Sequence, residues 1–524
     1  MSGAARGDPA PGRWLAERAA LTPDAPAVLW RDEIHSYAEL ERRADRLADR
    51  LTRCGVRRGD VVAALFENGP QLPPLLWALH ALGAVLLPLN ARWTPAEFVH
   101  ALVDSGSSLL LHGEGQVAMQ AASARDGVAG LALGCVTADA TLTHSDELAP
   151  QRPPADPLLV DAMALLYTSG TSGRPKGAVL GAGAFLASAR ASETLLGTGP
   201  ADRWLVCMPL FHVGGLSILI RSALAGSAAL VHERFDPAAV DRALDREGVT
   251  GVSLVAPMLQ RLLDVRGQRP SPASLRCVLV GGGPTPTPLL ERARALGLPV
   301  APTYGLTEAA SQVATRWPID DAPISGSRLR ALPGTELRIV DAQGRVLAPG
   351  VAGEITLRGG TLMRGYLGRP DESAQALRGG WLHTGDIGVL DDEGLLGVLD
   401  RRDDLIVSGG ENVYPAEIEA VLLAHSAVAE VAVVGFADER YGARPVAFWV
   451  PVDPLAEDPD LRAHCRAALA GFKQPVAFER RQTLPRNAAG KLLRRELQRE
   501  LQRRMPHEER PEERSERLPE RRRD

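Results

Sequence analysis

Apolar runs of strand length alternate with helix-like segments along most of this chain, up to about Asp400. Clear strand-like runs are residues 162–167, 204–208, 252–256 and 276–280. This alternation is typical of α/β folds, in which helices cover sheets of mainly parallel strands. Because 524 residues exceed what one hydrophobic core usually organises, we expect more than one domain.

The pattern changes twice towards the C-terminus. Residues 329–357 contain short strand-like runs broken by Gly and Pro turns, which predicts a small β-barrel-like subdomain. A charged step at 400–403 precedes a helix that begins at Pro415 and a strand at 428–434. We therefore predict an N-terminal domain over 1–400 made of α/β subdomains and the β-rich one, a small α+β domain over 401–502, and a disordered charged tail over 503–524.

Composition and charge argue against several classes of function. A net charge of −5 without a basic stripe disfavours a nucleic-acid partner. The five cysteines are dispersed without zinc spacing, which favours a reduced, cytoplasmic protein, and we expect no signal peptide. The most apolar stretch, 72–89, contains Pro73, Pro74 and His80, so it predicts a buried helix running into a strand and no stable membrane insertion. Assembly into a homo-oligomer stays open.

Lysine is almost absent from the chain. Of the 59 basic residues, only Lys176, Lys473 and Lys491 are lysines. This bias suggests that the remaining lysines lie where a compact ammonium cannot be exchanged for a planar guanidinium. Lys176 and Lys491 both lie in glycine-containing motifs.

The segment 168–177 reads Thr-Ser-Gly-Thr-Ser-Gly-Arg-Pro-Lys-Gly and follows a predicted strand. Its glycines let backbone N–H groups approach an oxyanion, its hydroxyls add donors, and Lys176 adds positive charge, which together favour a polyphosphate. The segment lacks the Gly-Lys-Ser/Thr ending of a Walker A loop, and a strand-like run follows it instead of a helix. A flexible Ser/Gly turn is the alternative. The candidate phosphate-binding residues are Thr168, Ser169, Gly170, Thr171 and Lys176.

Together with six later segments, this loop resembles the signature of the acyl-adenylate-forming superfamily, which includes acyl-CoA synthetases, luciferases and adenylation domains of peptide synthetases. The later segments are 208–215, 281–284, 304–308, 381–386, 400–419 and 484–491, and the resemblance covers about 14–497. It implies an N-terminal AMP-binding (adenylation) domain and an enzyme that uses ATP, Mg²⁺ and coenzyme A. A carboxylate would attack ATP to give acyl-AMP and pyrophosphate, and CoA would then displace AMP.

The resemblance implies a nucleotide-binding role for the residues that match the motifs. Glu308 would be the Mg²⁺ ligand, Tyr304 would offer an aromatic face to adenine, and Asp386 with Arg401 would bind the ribose. Taken singly, each of these fits an ordinary packing or surface role. The remaining matched positions are Gly281, Gly282, Gly283, Gly305 and Thr307.

Two further matches concern catalysis. Lys491 resembles the superfamily's catalytic lysine, whose ammonium would stabilise the charge that develops at the α-phosphate. His212 resembles the histidine at the mouth of the acyl pocket, where it would orient the carboxylate or gate pantetheine, with a structural histidine as the alternative. Lys473 fits either a contact to CoA phosphates or an ordinary surface lysine.

The family performs its two reactions by rotating the C-terminal domain. The resemblance implies that Asp403 lies at the hinge, and that Ser408, Gly409, Gly410 and Glu411 form a loop that enters the site for thioester formation. The two glycines suit a close approach of backbone to pantetheine.

Stretches beyond these motifs, at 211–226, 275–290, 303–315 and 400–419, resemble the ligases that act on o-succinylbenzoate in menaquinone biosynthesis. That acid has two carboxylates and a ring, so its pocket needs a second anion anchor. Arg221, Ser311 and Gln312 are the candidates, against helix-surface and loop-polarity alternatives. The chain departs from the family pattern at 327–332.

Three other functions remain as alternatives. The first is a fatty or aryl acyl-CoA synthetase that acts on a monocarboxylic acid. The second is a nucleotide-binding protein without turnover, which the presence of Glu308, Asp386, Arg401 and Lys491 disfavours. The third is an adenylation domain that loads a carrier protein, although no fused carrier segment follows Leu497.

We predict that Lys491→Ala abolishes carboxylate-dependent pyrophosphate exchange but retains substantial CoA transfer from supplied acyl-adenylate, because the ammonium serves the first step. Isotope exchange and thioester formation measure the two steps separately. Equal losses in both half-reactions would count against domain alternation.

Overall fold

The computed structural model describes residues 12–144, 156–168, 175–283, 285, 287–316, 328–400, 406–413, 415–453, 455, 458–485 and 494–504. Several sequence-predicted residues lie outside these ranges, namely Ser169, Gly170, Thr171, Arg401, Asp403 and Lys491.

The large N-terminal part of the chain alternates helices and strands. Up to His144 the elements are α1 (Trp14–Leu21), β1 (Pro26–Trp30), β2 (Glu33–Ser36), α2 (Tyr37–Arg53), β3 (Val61–Leu65), α3 (Leu72–Leu82), β4 (Val85–Pro88), α4 (Pro95–Asp104), β5 (Leu109–His112), α5 (Gln116–Asp126), β6 (Ala132–Val136) and β7 (Leu142–His144). They continue with β8 (Ala162–Thr168), β9 (Lys176–Gly181), α6 (Ala182–Leu196), β10 (Arg203–Val206), α7 (Val213–Ala225), β11 (Ala228–Val231), α8 (Pro237–Arg246), β12 (Gly251–Leu254), α9 (Ala256–Arg266), β13 (Cys277–Val280), α10 (Thr287–Ala295), β14 (Val300–Leu306) and β15 (Ser311–Thr315).

Strands predominate over helices from residue 328 to residue 400, and a second α+β unit follows. The elements are β16 (Arg330–Ala331), β17 (Thr335–Val340), β18 (Gly353–Gly359), β19 (Gly365–Tyr366), α11 (Pro370–Ala376), β20 (Leu382–Leu390) and β21 (Leu396–Asp400). The second unit contains β22 (Ile406–Ser408), β23 (Glu411–Val413), α12 (Pro415–Leu423), β24 (Val428–Asp438), β25 (Gly442–Pro451), α13 (Leu461–Ala468), β26 (Ala477–Arg480) and α14 (Arg494–Arg504).

Two large mixed sheets organise the N-terminal part. One has the strand order β19-β9-β8-β4-β3-β5-β6-β7, and the other β16-β15-β14-β13-β12-β10-β11-β1-β2. The inner strands of both are mainly parallel, and antiparallel strands close the edges. The predicted α/β fold is therefore confirmed, and the predicted strands match observed ones to within two residues.

Inner strands of these sheets, such as β3, β4, β12 and β13, are buried on both faces, which explains their continuous apolar sequences. In β3, Val62 and Ala64 join a core cluster that also contains β10 and the helices α2, α3, α6 and α7. Val61, Ala63 and Leu65 of the same strand join a second cluster with α4 and α5. Helices therefore fill the space between the two sheets and also cover their outer faces.

The segment 72–89 forms α3 followed by β4, as its sequence predicts. Pro73 and Pro74 lie in the first turn of α3, where a missing N–H costs nothing, and Gly83 ends the helix with φ = 66°. Among the described residues, no helix is long and apolar enough to cross a membrane.

Residues 330–400 contain an antiparallel sheet with the order β17-β18-β20-β21, which confirms the predicted β-rich subdomain. The second unit forms a separate sheet of order β23-β22-β25-β24, with β26 parallel to β25. Its helix α12 begins at Pro415 as predicted. Helix α14 ends at Arg504 and so covers the first two residues assigned to the tail, and the rest of the tail lies outside the described residues.

Candidate active site

A cavity of about 530 Å³ lies where the carboxyl ends of β10, β12, β13 and β14 meet, and the second unit covers one side of it. This edge is where ligands usually bind in parallel α/β sheets. The predicted residues that line it are Thr168, Lys176, His212, Arg221, Gly281, Gly282, Gly305, Thr307, Glu308, Ser311, Gln312, Asp386, Gly410 and Glu411. Gly283, Tyr304, Ser408 and Gly409 do not line it.

One end of the cavity carries the residues predicted to bind phosphate. Thr168 ends β8 and pairs directly with Lys176, the first residue of the antiparallel strand β9, so the Ser/Gly segment joins two paired strands. The Lys176 Nζ lies 5.4 Å from the Tyr366 ring centroid. The Tyr366 hydroxyl donates to Glu308 Oε1 at 2.9 Å. A cation and a carboxylate therefore flank the same tyrosine beside this connection.

Glu308 fits the expected role of a magnesium ligand. Among the described residues, no group of three or more His, Cys, Asp or Glu side chains is placed to hold a metal ion. Mg²⁺ in nucleotide sites is commonly held by one or two carboxylates together with phosphates and water, so a single carboxylate at this position is sufficient.

The backbone near the nucleotide motifs is tightly packed, which explains its glycines. A Cβ on Gly281 would lie 2.6 Å from Thr303 Cγ2, and a Cβ on Gly305 would lie 2.0 Å from the Ser311 carbonyl oxygen. Residue 305 must therefore be glycine for β14 and β15 to pair as they do.

Tyr304 contacts another residue of the predicted nucleotide site. Its side chain is buried, and its hydroxyl donates to Asp386 Oδ2 at 2.7 Å. Tyr304 therefore holds the carboxylate of Asp386, which lines the cavity.

Another part of the cavity lining contains the buried guanidinium of Arg221. The side chain comes from α7 and is 6% exposed, so the helix-surface alternative is wrong. Its Cζ lies 4.2 Å from the Trp204 ring centroid, and its Nη1 donates to Gln312 Oε1 at 3.3 Å. Burial lowers the pKa of Arg221 to about 10, which leaves it charged at neutral pH.

The remaining edge of this guanidinium is buried inside the protein. Among the described residues, neither Nε nor Nη2 of Arg221 has a hydrogen-bond partner. These two nitrogens share the edge that binds a carboxylate through two parallel hydrogen bonds. A buried cation with unmet donors is costly in free energy.

Gln312 and Ser311 contribute to this part of the cavity lining in different ways. The Gln312 amide is fully engaged, because Oε1 also accepts from Ser192 at 2.8 Å and Nε2 donates to Thr315 at 3.1 Å. It therefore orients Arg221. Ser311 lines the cavity with φ = 96°, and the preceding Ala310 has φ = 50°. Such strained backbone is concentrated at functional sites in proteins.

The second unit contributes charged residues to the site. Glu411 is 2% exposed, accepts from Arg92, and lies 2.7 Å from His212 Nε2 through its other oxygen. Burial acts to raise the pKa of Glu411, but His212, Arg92 and Lys473 outweigh it, so the pKa is lowered. Glu411 therefore stays ionised in this arrangement.

Lys473 matches neither of the roles proposed from the sequence. It is 3% exposed, and its Nζ lies 2.6 Å from Glu97 Oε1 and 2.7 Å from Glu417 Oε1. An ammonium held between two carboxylates is not a surface lysine and is not free to bind a phosphate in this arrangement.

Sequence reasoning missed Arg92, Glu97 and Trp204. Arg92 and Glu97 meet partners more than 300 residues away, and Trp204 is an apolar residue of a predicted strand. The scarcity of lysine was the one signal that pointed towards this part of the site, through Lys473.

A nucleotide-sized cavity at the ends of parallel strands, covered by a second unit, indicates a two-domain enzyme that binds a nucleotide. The family model of the AMP-binding enzyme matches residues 15–367, and that of the AMP-binding enzyme C-terminal domain matches 417–491. The chain therefore belongs to the AMP-binding enzyme family.

The chain is similar to the 2-succinylbenzoate–CoA ligase of Bacillus cereus, with 42% identity over 485 residues, which are 92% of this chain and 97% of the relative. It is also similar to solved structures of o-succinylbenzoate CoA synthetase from Bacillus subtilis, with 38% identity and coverage of 93% of this chain and 98% of that one. The TM-score is 0.83 for a double mutant bound to the product analogue OSB-NCoA and 0.68 for the complex with the acyl-adenylate OSB-AMP. This structure thus resembles the product-analogue complex more closely.

We predict that Gly305→Ala destabilises the protein by about 1–3 kcal/mol, because the new Cβ meets a backbone oxygen that cannot move without shifting β15. Gly183→Ala is the matched control. Gly183 lies in α6, where a Cβ meets nothing within 4 Å, so this change should be neutral or stabilising by up to about 1 kcal/mol. Chemical unfolding measures both, and equal stabilities for the two variants would contradict the packing argument.

Proposed function

We propose that this chain is an ATP-dependent, AMP-forming acid–CoA ligase that acts on 2-succinylbenzoate in menaquinone biosynthesis. The observation that carries the choice of acid is the buried, partly unpartnered guanidinium of Arg221, which belongs to the same cavity lining as Lys176 and Glu308. The relatives that share about 40% identity over nearly their whole length are named for this reaction.

Two parts of the cavity lining match the two carboxylates of the substrate. One carboxylate has to reach the α-phosphate of the nucleotide, near Lys176 and Glu308. The second would then bind the Nε and Nη2 edge of Arg221, which Trp204 and Gln312 hold in place. Ser311 lies beside this path and adds a polar contact. A monocarboxylic acid would leave the buried cation unpaired, which disfavours the fatty or aryl acyl-CoA synthetase alternative.

We assign the nucleotide to the part of the cavity beside Thr168 and Lys176, which flank the Ser/Gly segment. Thr168, Ser169, Gly170, Thr171 and Lys176 would bind its phosphates, and Gly281, Gly282, Gly283, Gly305 and Thr307 would give adenine access to the backbone. Asp386, held by Tyr304, would accept hydrogen bonds from the ribose, with Arg401 as a second ribose contact. Glu308 would hold Mg²⁺, which neutralises charge on the phosphates when bound.

The reaction proceeds in two steps in this proposal. An oxygen of the substrate carboxylate attacks the α-phosphorus, the bond to pyrophosphate breaks, and the Lys491 ammonium stabilises the developing charge. The CoA thiol then loses its proton and attacks the acyl carbon, the bond to AMP breaks, and the thioester forms. Pyrophosphate, AMP and the thioester all leave from the same cavity.

We propose that residues 1–400 form the adenylation domain, that 401–502 form a mobile domain hinged at Asp403, and that 503–524 form a disordered tail. The present arrangement would serve the second step, because Gly410 and Glu411 line the cavity and the TM-scores favour the product-analogue complex. Ser408 pairs with Glu411 across that loop, and the Gly409 N–H donates to the Tyr441 carbonyl. Glu411 holds His212 only in this orientation, which favours a gating role for the histidine.

The proposed partners are small molecules, namely ATP, CoA and the acid, with no need for nucleic acid or membrane insertion. We place the enzyme in the cytoplasm, because all five cysteines are free thiols and disulfides are rare in that compartment. Self-association stays a prediction that the sequence leaves open.

Turnover of 2-succinylbenzoate, benzoate and octanoate by the wild-type protein tests the proposal. We expect a clear preference for 2-succinylbenzoate, and Arg221→Met should lower kcat/KM for it by about 100-fold, equal to about 3 kcal/mol, because a charge-assisted pair of hydrogen bonds is lost. Residual activity on benzoate should change by no more than about twofold, since benzoate has no second carboxylate.

Two further variants sharpen this comparison. Arg221→Lys should recover only part of the loss, because an ammonium keeps the charge but not the planar fork. Arg292→Gln removes an exposed guanidinium on α10 and should leave all three acids unaffected. A wild-type preference for benzoate or octanoate would refute the choice of acid while leaving the ligase class intact.

A further inference from the structure

The buried ion group around Lys473 joins two parts of the chain that match separate family models. Glu97 lies in α4, within the region matched by the AMP-binding enzyme model, whereas Glu417 and Lys473 lie within the region matched by the C-terminal domain model. The Lys473 side chain is 4% exposed, and those of Glu97 and Glu417 are 10% and 7% exposed. One ammonium therefore connects the two domains away from solvent.

The two carboxylates around Lys473 respond differently to domain rotation. Glu417 belongs to the same domain as Lys473, so this pair can be kept in any orientation. Glu97 belongs to the other domain, so its contact exists only when the small domain is oriented as it is here. Burial acts to lower the pKa of Lys473, but Glu417 and Glu97 outweigh it and raise the pKa, so the ammonium stays charged. The Glu97 contact is thus the part of the group that depends on orientation.

Glu97 is prepared for this contact by its own helix. Its Oε2 accepts from the backbone N of Thr94 at 2.8 Å and from the Thr94 hydroxyl at 3.0 Å, forming a capping box at the start of α4. Oε1 is left to face Lys473. Because the cap already fixes the carboxylate, docking of the lysine costs little additional side-chain entropy.

The lysine is also close to the loop that enters the cavity. The neighbouring Phe472 lies beside Arg92, with the Arg92 Cζ 5.7 Å from its ring centroid, and Arg92 pairs with Glu411. Phe472, Lys473, Gly410 and Glu411 all line the cavity. Anchoring Lys473 therefore holds the same face of the small domain that presents Gly410 and Glu411.

We propose that Lys473 is a positioning residue for the second half-reaction, and that its ion pair with Glu97 latches the small domain in the orientation in which thioester formation takes place. This role rests on the two-step function proposed above. The latch acts on domain orientation and contacts neither reacting atom.

Glu97→Gln is the test, because glutamine preserves the shape of the side chain and can still serve in a capping box, while the charge that attracts Lys473 is lost. Thioester formation from supplied acyl-adenylate should fall by about tenfold, and carboxylate-dependent pyrophosphate exchange should stay within about twofold of the wild type. Glu336→Gln removes an exposed carboxylate paired with Arg358 inside the large domain, and it should alter neither half-reaction.

Lys473→Met provides a second variant, since it removes the ammonium itself. It should slow thioester formation at least as much as Glu97→Gln, and the double variant should be no slower than Lys473→Met alone, because both changes break the same pair. Equal losses in both half-reactions, or an unchanged rate of thioester formation in Glu97→Gln, would overturn the latch.

Domain orientation can be measured independently of activity. Spin labels at Met119→Cys in the large domain and Val452→Cys in the small domain occupy exposed positions, and Cys135→Ser removes the partly exposed native thiol. Distance distributions between the labels should shift away from the present arrangement when Glu97→Gln is added. An unchanged distribution would overturn the latch even if the enzyme acted on another acid, whereas failure of the wild type to form any thioester would contradict the proposed function instead.

Discussion

Buried charges whose partners lie on another domain are the interaction on which the arrangement of this site depends. Glu411 and Lys473 come from the small domain, and Arg92, His212 and Glu97 come from the large one. A buried ion without its partner costs several kcal/mol, on the order of 3–5. These groups can therefore be buried only in an orientation that brings the two domains together at the cavity. The same ion pairs also fix which loop of the small domain, the one with Gly410 and Glu411, faces the cavity.

Much of the fold follows from the sequence because its inner strands are buried on both faces. Continuous apolar runs predicted β8, β10, β12 and β13 to within two residues, and proline and glycine located α3 and its end. The order of strands in the sheets did not follow, since β1 pairs with β11 across about 200 residues. Such pairings depend on how complete layers of helices pack on the sheets, and a local sequence pattern does not predict this packing.

The sequence predicted the site residues that belong to a motif. It did not predict the residues whose role depends on packing. The hydroxyls and glycines of one segment predicted Thr168, the family resemblance implied Glu308 and Asp386, and all three line one cavity. The sequence did not show that Tyr304 would be buried against Asp386 or that Gln312 would be engaged by Ser192. Arg221 was proposed as an anion anchor because the acid has a second carboxylate. Its burial beside Trp204 depends on tertiary packing and could not be predicted from the sequence.

The distribution of apolar contacts is compatible with the proposed rotation of the small domain. The clusters that contain Ile406 and Val434 draw only on residues from 406 onwards, and the clusters of the large part draw only on residues up to 398. Since the two parts share no hydrophobic cluster among the described residues, rotation would leave each core intact. The contacts between the parts include ion pairs and places where a glycine of one part faces an apolar side chain of the other, such as Gly410 beside Val255 and Gly442 beside Pro257. Contacts of this kind can be exchanged for water or for another set, whereas a shared core cannot. An enzyme that must present two faces of one domain to one cavity therefore needs an interface of charges and glycines rather than of leucines.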